Sequence, residues 1–222
     1  MKLLGKAIIK GVSGLLCLGL LLFLPAGTLR YPGAWLLIGA LFVPMLILGV
    51  LLYKKAPELL EKRLNSKEEN PGQKVVILLS ALLFLSVFVL AGLDFRFGWS
   101  RLPFWVALTA AAIFLVGYGL YAEVMRENAY LSRTVEVQTG QKVIDTGLYG
   151  LVRHPMYLST VLLFLSMPLM LGSLYAFLLM LAGYPPIIAW RIRDEEQTLA
   201  AGLPGYAAYM EKVRYRVIPY IW

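Results

Sequence analysis

The chain has 222 residues, 59% of them hydrophobic and 15% charged, with a mean hydropathy of +0.72 and a net charge of +8. Soluble domains average about 45–50% apolar and about 25% charged residues, so a single water-surrounded core is excluded and a membrane protein is the class to test. The lone cysteine, Cys17, excludes a disulfide framework, and with the lone histidine, His154, it excludes the usual Cys/His zinc sites. No metal is expected, and the basic excess reads as membrane topology rather than as a nucleic-acid surface.

Read from charge to charge, the chain contains five uncharged runs: 19 residues at 11–29, 23 at 31–53, 19 at 75–93, 21 at 102–122 and 36 at 155–190. A helix crosses the hydrocarbon core with about 20 apolar residues, so each of the first four runs fits one span. The first 30 residues read as a retained helix rather than a signal peptide, because the apolar run is long and Ala26-Gly27-Thr28 is a poor cleavage site. Leu16 before Cys17 likewise argues against a lipid-attachment signal. Met45, Phe84, Phe88 and Phe114 in these spans read as lipid-facing or packing residues. The loop 54–74, with Pro57, Pro71 and mixed charges, predicts a solvated, partly helical connector.

The fifth run is too long for one span and is punctuated by Pro168, Gly172-Ser173, Gly183 and Pro185-Pro186. It predicts a hairpin of two short arms turning near Gly172-Ser173, followed by a helical stretch from Arg191 through Leu199. The expected fold is therefore an all-α polytopic membrane protein, with four single transmembrane helices plus a C-terminal helical hairpin, five to six passes in all. Eighteen of the 21 Lys and Arg residues then fall on one side, against Arg30, Arg96 and Arg101 on the other. The positive-inside rule puts both termini in the cytoplasm, and the absence of a retention signal in the tail suggests a bacterial inner membrane.

Polar chemistry gathers between residues 128 and 219. Two β-branched, polar stretches at 134–138 and 141–144 lead into Gly147-x-Tyr149, then Arg153-His154-Pro155-Met156-Tyr157 at the entrance to the hairpin. Beyond the hairpin comes Arg191-Ile192-Arg193-Asp194-Glu195-Glu196. An even number of passes returns Arg153-His154 and 191–196 to the same membrane face. Arg191 and Glu195 share one helix face at i,i+4, and ionisable residues at membrane entry read as functional. Taken singly, Arg153 reads as a topology anchor, Arg191 with Glu195 as a surface ion pair, and Tyr206, Tyr209, Tyr215, Tyr220 and Trp222 as an aromatic belt. No Gly-x-Gly-x-x-Gly opens a strand–helix unit, so a soluble dinucleotide-type fold is not supported.

Taken together, Asn128, Gln138, Gly147-x-Tyr149, Arg153-His154-Pro155-x-Tyr157, Glu195-Glu196-x-x-Leu199, Gly205-Tyr206-x-x-Tyr209 and Pro219 resemble the isoprenylcysteine carboxyl methyltransferases and the wider phospholipid-methyltransferase-like membrane enzymes. The transmembrane helices read above occupy 1–127, and the resemblance implies a methyltransferase core over 128–222. It implies an S-adenosyl-L-methionine site at Gln138, Gln141, Lys142, Val143, Ile144, Tyr149, His154, Pro155, Met156, Tyr157 and Glu195. Arg191 falls at the substrate-side arginine, as the catalytic and acceptor-orienting group, with Arg153 as a second substrate contact. The implied acceptor is lipophilic and enters from the bilayer, nominally as the carboxylate of a prenylated cysteine, with membrane lipids as the other partner. Three alternatives stay open. One is N-methylation of a phospholipid amine, with Glu196 or Asp194 as proton acceptor. Another is a sterol-reductase-like protein using a nicotinamide cofactor, and the third is a non-catalytic membrane protein.

Overall fold

A computed structural model describes residues 2–64, 71–132 and 137–222. Part of the loop 54–74, including Lys67, and part of the stretch 134–138, with Arg133 before it, lie outside the described residues. The described residues form helices and no strands. They are α1 (Lys2–Ala26), α2 (Pro32–Lys55), α3 (Pro57–Leu64), α4 (Pro71–Phe97), α5 (Phe104–Glu127), α6 (Pro155–Met170), α7 (Leu174–Gly202) and α8 (Tyr206–Lys212), with a 3-10 turn at Gly147–Gly150.

Five of these, α1, α2, α4, α5 and α7, are long and apolar enough to cross a membrane, and α6 is a shorter apolar helix. At about 1.5 Å per residue the 16 residues of α6 rise roughly 24 Å. Exposed apolar side chains such as Ile9, Leu16, Leu20, Leu24 and Leu46 line the outer surface, where lipid rather than water satisfies them. The chain is a multi-pass α-helical membrane protein.

The hairpin turns at 171–173. Its second arm passes through Pro185 and Pro186, and α7 runs unbroken into the helical stretch expected from Arg191 to Leu199 and on to Gly202. Proline removes a backbone donor and crowds the preceding turn. Packing compensates here, because α7 lies along α4 and a Cβ at Gly183 would stand 2.7 Å from Leu83 Cδ1. The continuous helix makes Arg191 and Glu195 a rigid extension of a membrane span.

The described part of the connector after α2 contains the short helix α3, in keeping with a partly helical connector. Amphipathic α3 buries Leu59 and Leu60, while Arg63 donates hydrogen bonds to the Tyr121 hydroxyl and, at 3.2 Å, to the Ser132 carbonyl. Phe88 and Phe114 sit in the core rather than facing lipid. The end of the bundle remote from the termini is closed by Asp94, which accepts from Ser100 N and Oγ at 2.6 Å each and from the Ser173 hydroxyl. Tyr31 joins it by donating to the Leu171 carbonyl at 2.7 Å.

Candidate functional site

The polar end of the bundle is built on two registers. His154 caps the start of α6, and Pro155 opens the helix at a position where a missing N–H costs nothing. The N–H groups of Arg153 and His154 donate to the carbonyls of Tyr215 and Arg216 at 2.9 and 2.8 Å, so the C-terminal tail is laid along this entrance. On α7, Glu195 and Glu196 point about 100° apart around the helix axis and serve different neighbours.

Glu196 is buried among three basic side chains. Its Oε1 accepts from Arg153 Nε at 2.7 Å and meets His154 Nε2 at 3.2 Å, while Oε2 accepts from Arg216 Nε at 3.1 Å. Arg153 also donates through Nη1 to the carbonyls of Val213 at 2.8 Å and Arg214 at 3.0 Å. Its guanidinium therefore ties α7, the hairpin entrance and the tail together.

Glu195 faces a cavity instead. Tyr157 donates its hydroxyl to Glu195 Oε2 at 2.6 Å and accepts from Arg191 Nε at 2.9 Å, so one phenol bridges the two groups that the i,i+4 spacing had suggested as a surface ion pair. His154 Nδ1 lies 3.9 Å from Glu195 Oε1. The polar cavity is lined by Gln141, Lys142, Val143, Ile144, Tyr149, Arg153, His154, Met156, Tyr157, Arg191 and Glu195, all anticipated from the sequence. Gln138 and Pro155 are not in its wall. Gln138 shapes the loop behind it, donating to the Tyr130 carbonyl at 2.6 Å and accepting from Lys62 at 2.7 Å.

Sequence reasoning missed other lining residues, notably Tyr130, Tyr206 and Tyr209. The two tail tyrosines had read as an aromatic belt, and only the spacing Gly205-Tyr206-x-x-Tyr209 hinted otherwise. Tyr209 donates to the Tyr149 carbonyl at 2.8 Å, whereas the Tyr206 hydroxyl is buried with no hydrogen-bond partner among the described residues. Burial, reinforced by the Glu195 and Glu196 charges, pushes that hydroxyl above the usual phenol range, so it stays a donor. Burial likewise pushes Tyr149 up to about 12, although its hydroxyl accepts from Asn128 Nδ2 at 2.9 Å. A buried donor without an acceptor is costly, and in a cavity wall it marks where a ligand oxygen or nitrogen fits.

The loop is set by Gly147, whose φ of +56° favours glycine. A Cβ there would overlap the Glu127 carboxylate, which accepts from the Leu148 N–H at 3.0 Å. Gly147→Ala is expected to cost about 1–2 kcal/mol from left-handed backbone alone, and to displace Tyr149. The check is thermal unfolding followed by circular dichroism: a lower melting temperature with unchanged helical content at 25 °C is expected.

A second, apolar cavity lies beside the first. It is walled by α2 (Leu41, Met45, Leu48), α3 (Leu60, Arg63), α4 (Val76, Phe84), α5 (Phe114, Tyr118) and the α6–α7 hairpin. The N-terminal spans thus do more than anchor the chain. Both cavities share Ser132, Met156, Tyr157 and Arg191 as a common wall.

Residues 105–202, somewhat under half of the chain, match the family profile described as Phospholipid methyltransferase. This stretch runs from α5 through α7 and carries the hairpin with its two polar flanks. The match agrees with the phospholipid-methyltransferase-like integral membrane methyltransferases that the sequence resembles. The chain is also 32% identical over 91 residues to a Delta(14)-sterol reductase of Mus musculus, over 40% of this chain and 22% of that relative. The matched stretch thus spans about a fifth of that relative's length.

Proposed function

We propose that the protein is an S-adenosylmethionine-dependent methyltransferase that O-methylates the carboxylate of a lipophilic, prenylcysteine-like acceptor drawn from the bilayer. One observation carries this reading: a polar cavity and an apolar cavity meet at a wall made by Met156, Tyr157 and Arg191. That arrangement suits a water-soluble cofactor on one side and a hydrocarbon chain on the other. The polar residues fit the cofactor chemically. Glu195 suits an ammonium or ribose hydroxyl, His154 and the Tyr206 hydroxyl suit a carboxylate or base edge, and the faces of Tyr149 and Tyr157 suit an adenine or a cation. When bound, S-adenosylmethionine supplies a methyl group activated by sulfonium charge.

The remaining work falls to the chain itself. Arg191 attracts and orients an anionic acceptor end, while Tyr157 fixes the guanidinium relative to Glu195. Orientation is the main requirement of such a transfer. A carboxylate is already ionised at neutral pH, so no general base is needed. An amine must lose a proton before attacking, yet the described lining of the apolar cavity contains Arg63 and Arg191 and no Asp or Glu. That asymmetry favours the carboxylate over a phospholipid amine. In this reading the polar end, which carries both termini, faces the cytoplasm.

The test supplies the detergent-purified protein with methyl-labelled cofactor and either N-acetyl-S-farnesylcysteine or phosphatidylethanolamine vesicles. A base-labile methyl ester on the farnesylcysteine is expected. Label on the phosphatidylethanolamine alone would establish the N-methylating alternative instead.

A further inference from the structure

We propose that Gln73 is a positioning residue that aims Arg191 at the acceptor, an inference that rests on the methyl-transfer reading above. Gln73 sits at the start of α4, outside the family-matched stretch, and is fully buried. Its Oε1 accepts from Arg191 Nη1 at 2.8 Å, and its Nε2 donates to Asp194 Oδ2 at 2.5 Å. The two bonds fix each other. Asp194 accepts only, so the amide must turn its NH₂ there and present its oxygen to Arg191; a flipped amide would set donor against donor and acceptor against acceptor.

Arg191 is thus gripped at Nη1 by Gln73 and at Nε by the Tyr157 hydroxyl, which fixes the guanidinium plane in the wall shared by the two cavities. An amide is suited to this task. It holds the guanidinium without cancelling its charge, whereas a carboxylate at position 73 would neutralise the group that attracts the acceptor. The role is separable from holding the helices together, because α4 and α7 also pack along their apolar lengths, with Leu83 seated against Gly183.

The test compares Gln73→Met, similar in volume but unable to form either bond, with the parent in methyl transfer to N-acetyl-S-farnesylcysteine. The expected result is a roughly ten- to hundredfold fall in kcat/KM for the acceptor, the range carried by one hydrogen bond to a charged group. The KM for S-adenosylmethionine and the melting shift with S-adenosylhomocysteine are expected to hold, which also shows that the variant folds. In an Arg191→Lys background Gln73→Met should add little, since a residue acting through Arg191 loses its effect once Arg191 is altered. Unchanged acceptor kinetics, equal damage to both KM values, or additive effects in the double variant would each overturn the assignment. If the parent itself transfers no methyl group to farnesylcysteine, the functional reading fails and this inference falls with it. A parent that transfers normally beside an unaffected Gln73→Met isolates the failure to Gln73.

Discussion

Glu195→Ala is expected to weaken S-adenosylhomocysteine binding by about 2–3 kcal/mol, roughly a hundredfold, while leaving the fold intact. The carboxylate lies in the wall of the polar cavity, accepts from Tyr157 at 2.6 Å and has His154 Nδ1 at 3.9 Å. A charged acceptor facing a ligand ammonium or hydroxyl contributes about 1.5–3 kcal/mol, more than a neutral contact of the same geometry. Its loss also frees the Tyr157 hydroxyl from one partner and loosens the Arg191 side of the wall. Glu195→Gln should fall between parent and alanine variant, because an amide keeps the acceptor oxygen without the charge. Calorimetric titration with S-adenosylhomocysteine reads all three, and equal affinities would remove Glu195 from the proposed cofactor site.

Glu196→Ala is expected to act on stability rather than on binding. It would leave Arg153 and His154, both buried, without their shared carboxylate, and would release Arg216 from the same group. Removing one partner of a buried ion pair costs about 3–5 kcal/mol, because the other charge stays desolvated. Against typical stabilities of about 5–15 kcal/mol that is a large loss. The tail should detach first, since Arg153 also holds the carbonyls of Val213 and Arg214. A Glu196→Gln variant keeps oxygen acceptors for Arg153 and should be milder. Thermal unfolding together with limited proteolysis of the tail distinguishes the three proteins; an alanine variant as stable as the parent would mean that the cluster is not a structural tie.

Most of the fold was legible because the hydrocarbon core imposes a length on each helix, and the charge-free runs at 31–53 and 102–122 report that length directly. The hairpin followed from a run too long for one span. The prolines Pro185-Pro186 do not break the second arm, because α7 packs against α4 and continues to Gly202. Within the site, the wall residues around Arg153-His154-Pro155-Met156-Tyr157 and Glu195 were legible as a motif. Their partners were not, because the Tyr157 bridge between Arg191 and Glu195 depends on how α6 and α7 face each other. Gln73 and Arg63 carry no local signal, since each reaches the site from a helix far away in the chain. Arg153 shows the reverse case, a conspicuous arginine whose guanidinium is directed to Glu196 and the tail.

The most direct test of the central claim is the melting temperature of the purified protein with S-adenosylhomocysteine and, separately, with NADPH. Ligand at 100 times its dissociation constant stabilises by about 2.7 kcal/mol, enough for a visible upward shift. A shift with S-adenosylhomocysteine alone is the expected result. A shift with NADPH alone would contradict the account and assign the polar cavity to a nicotinamide cofactor.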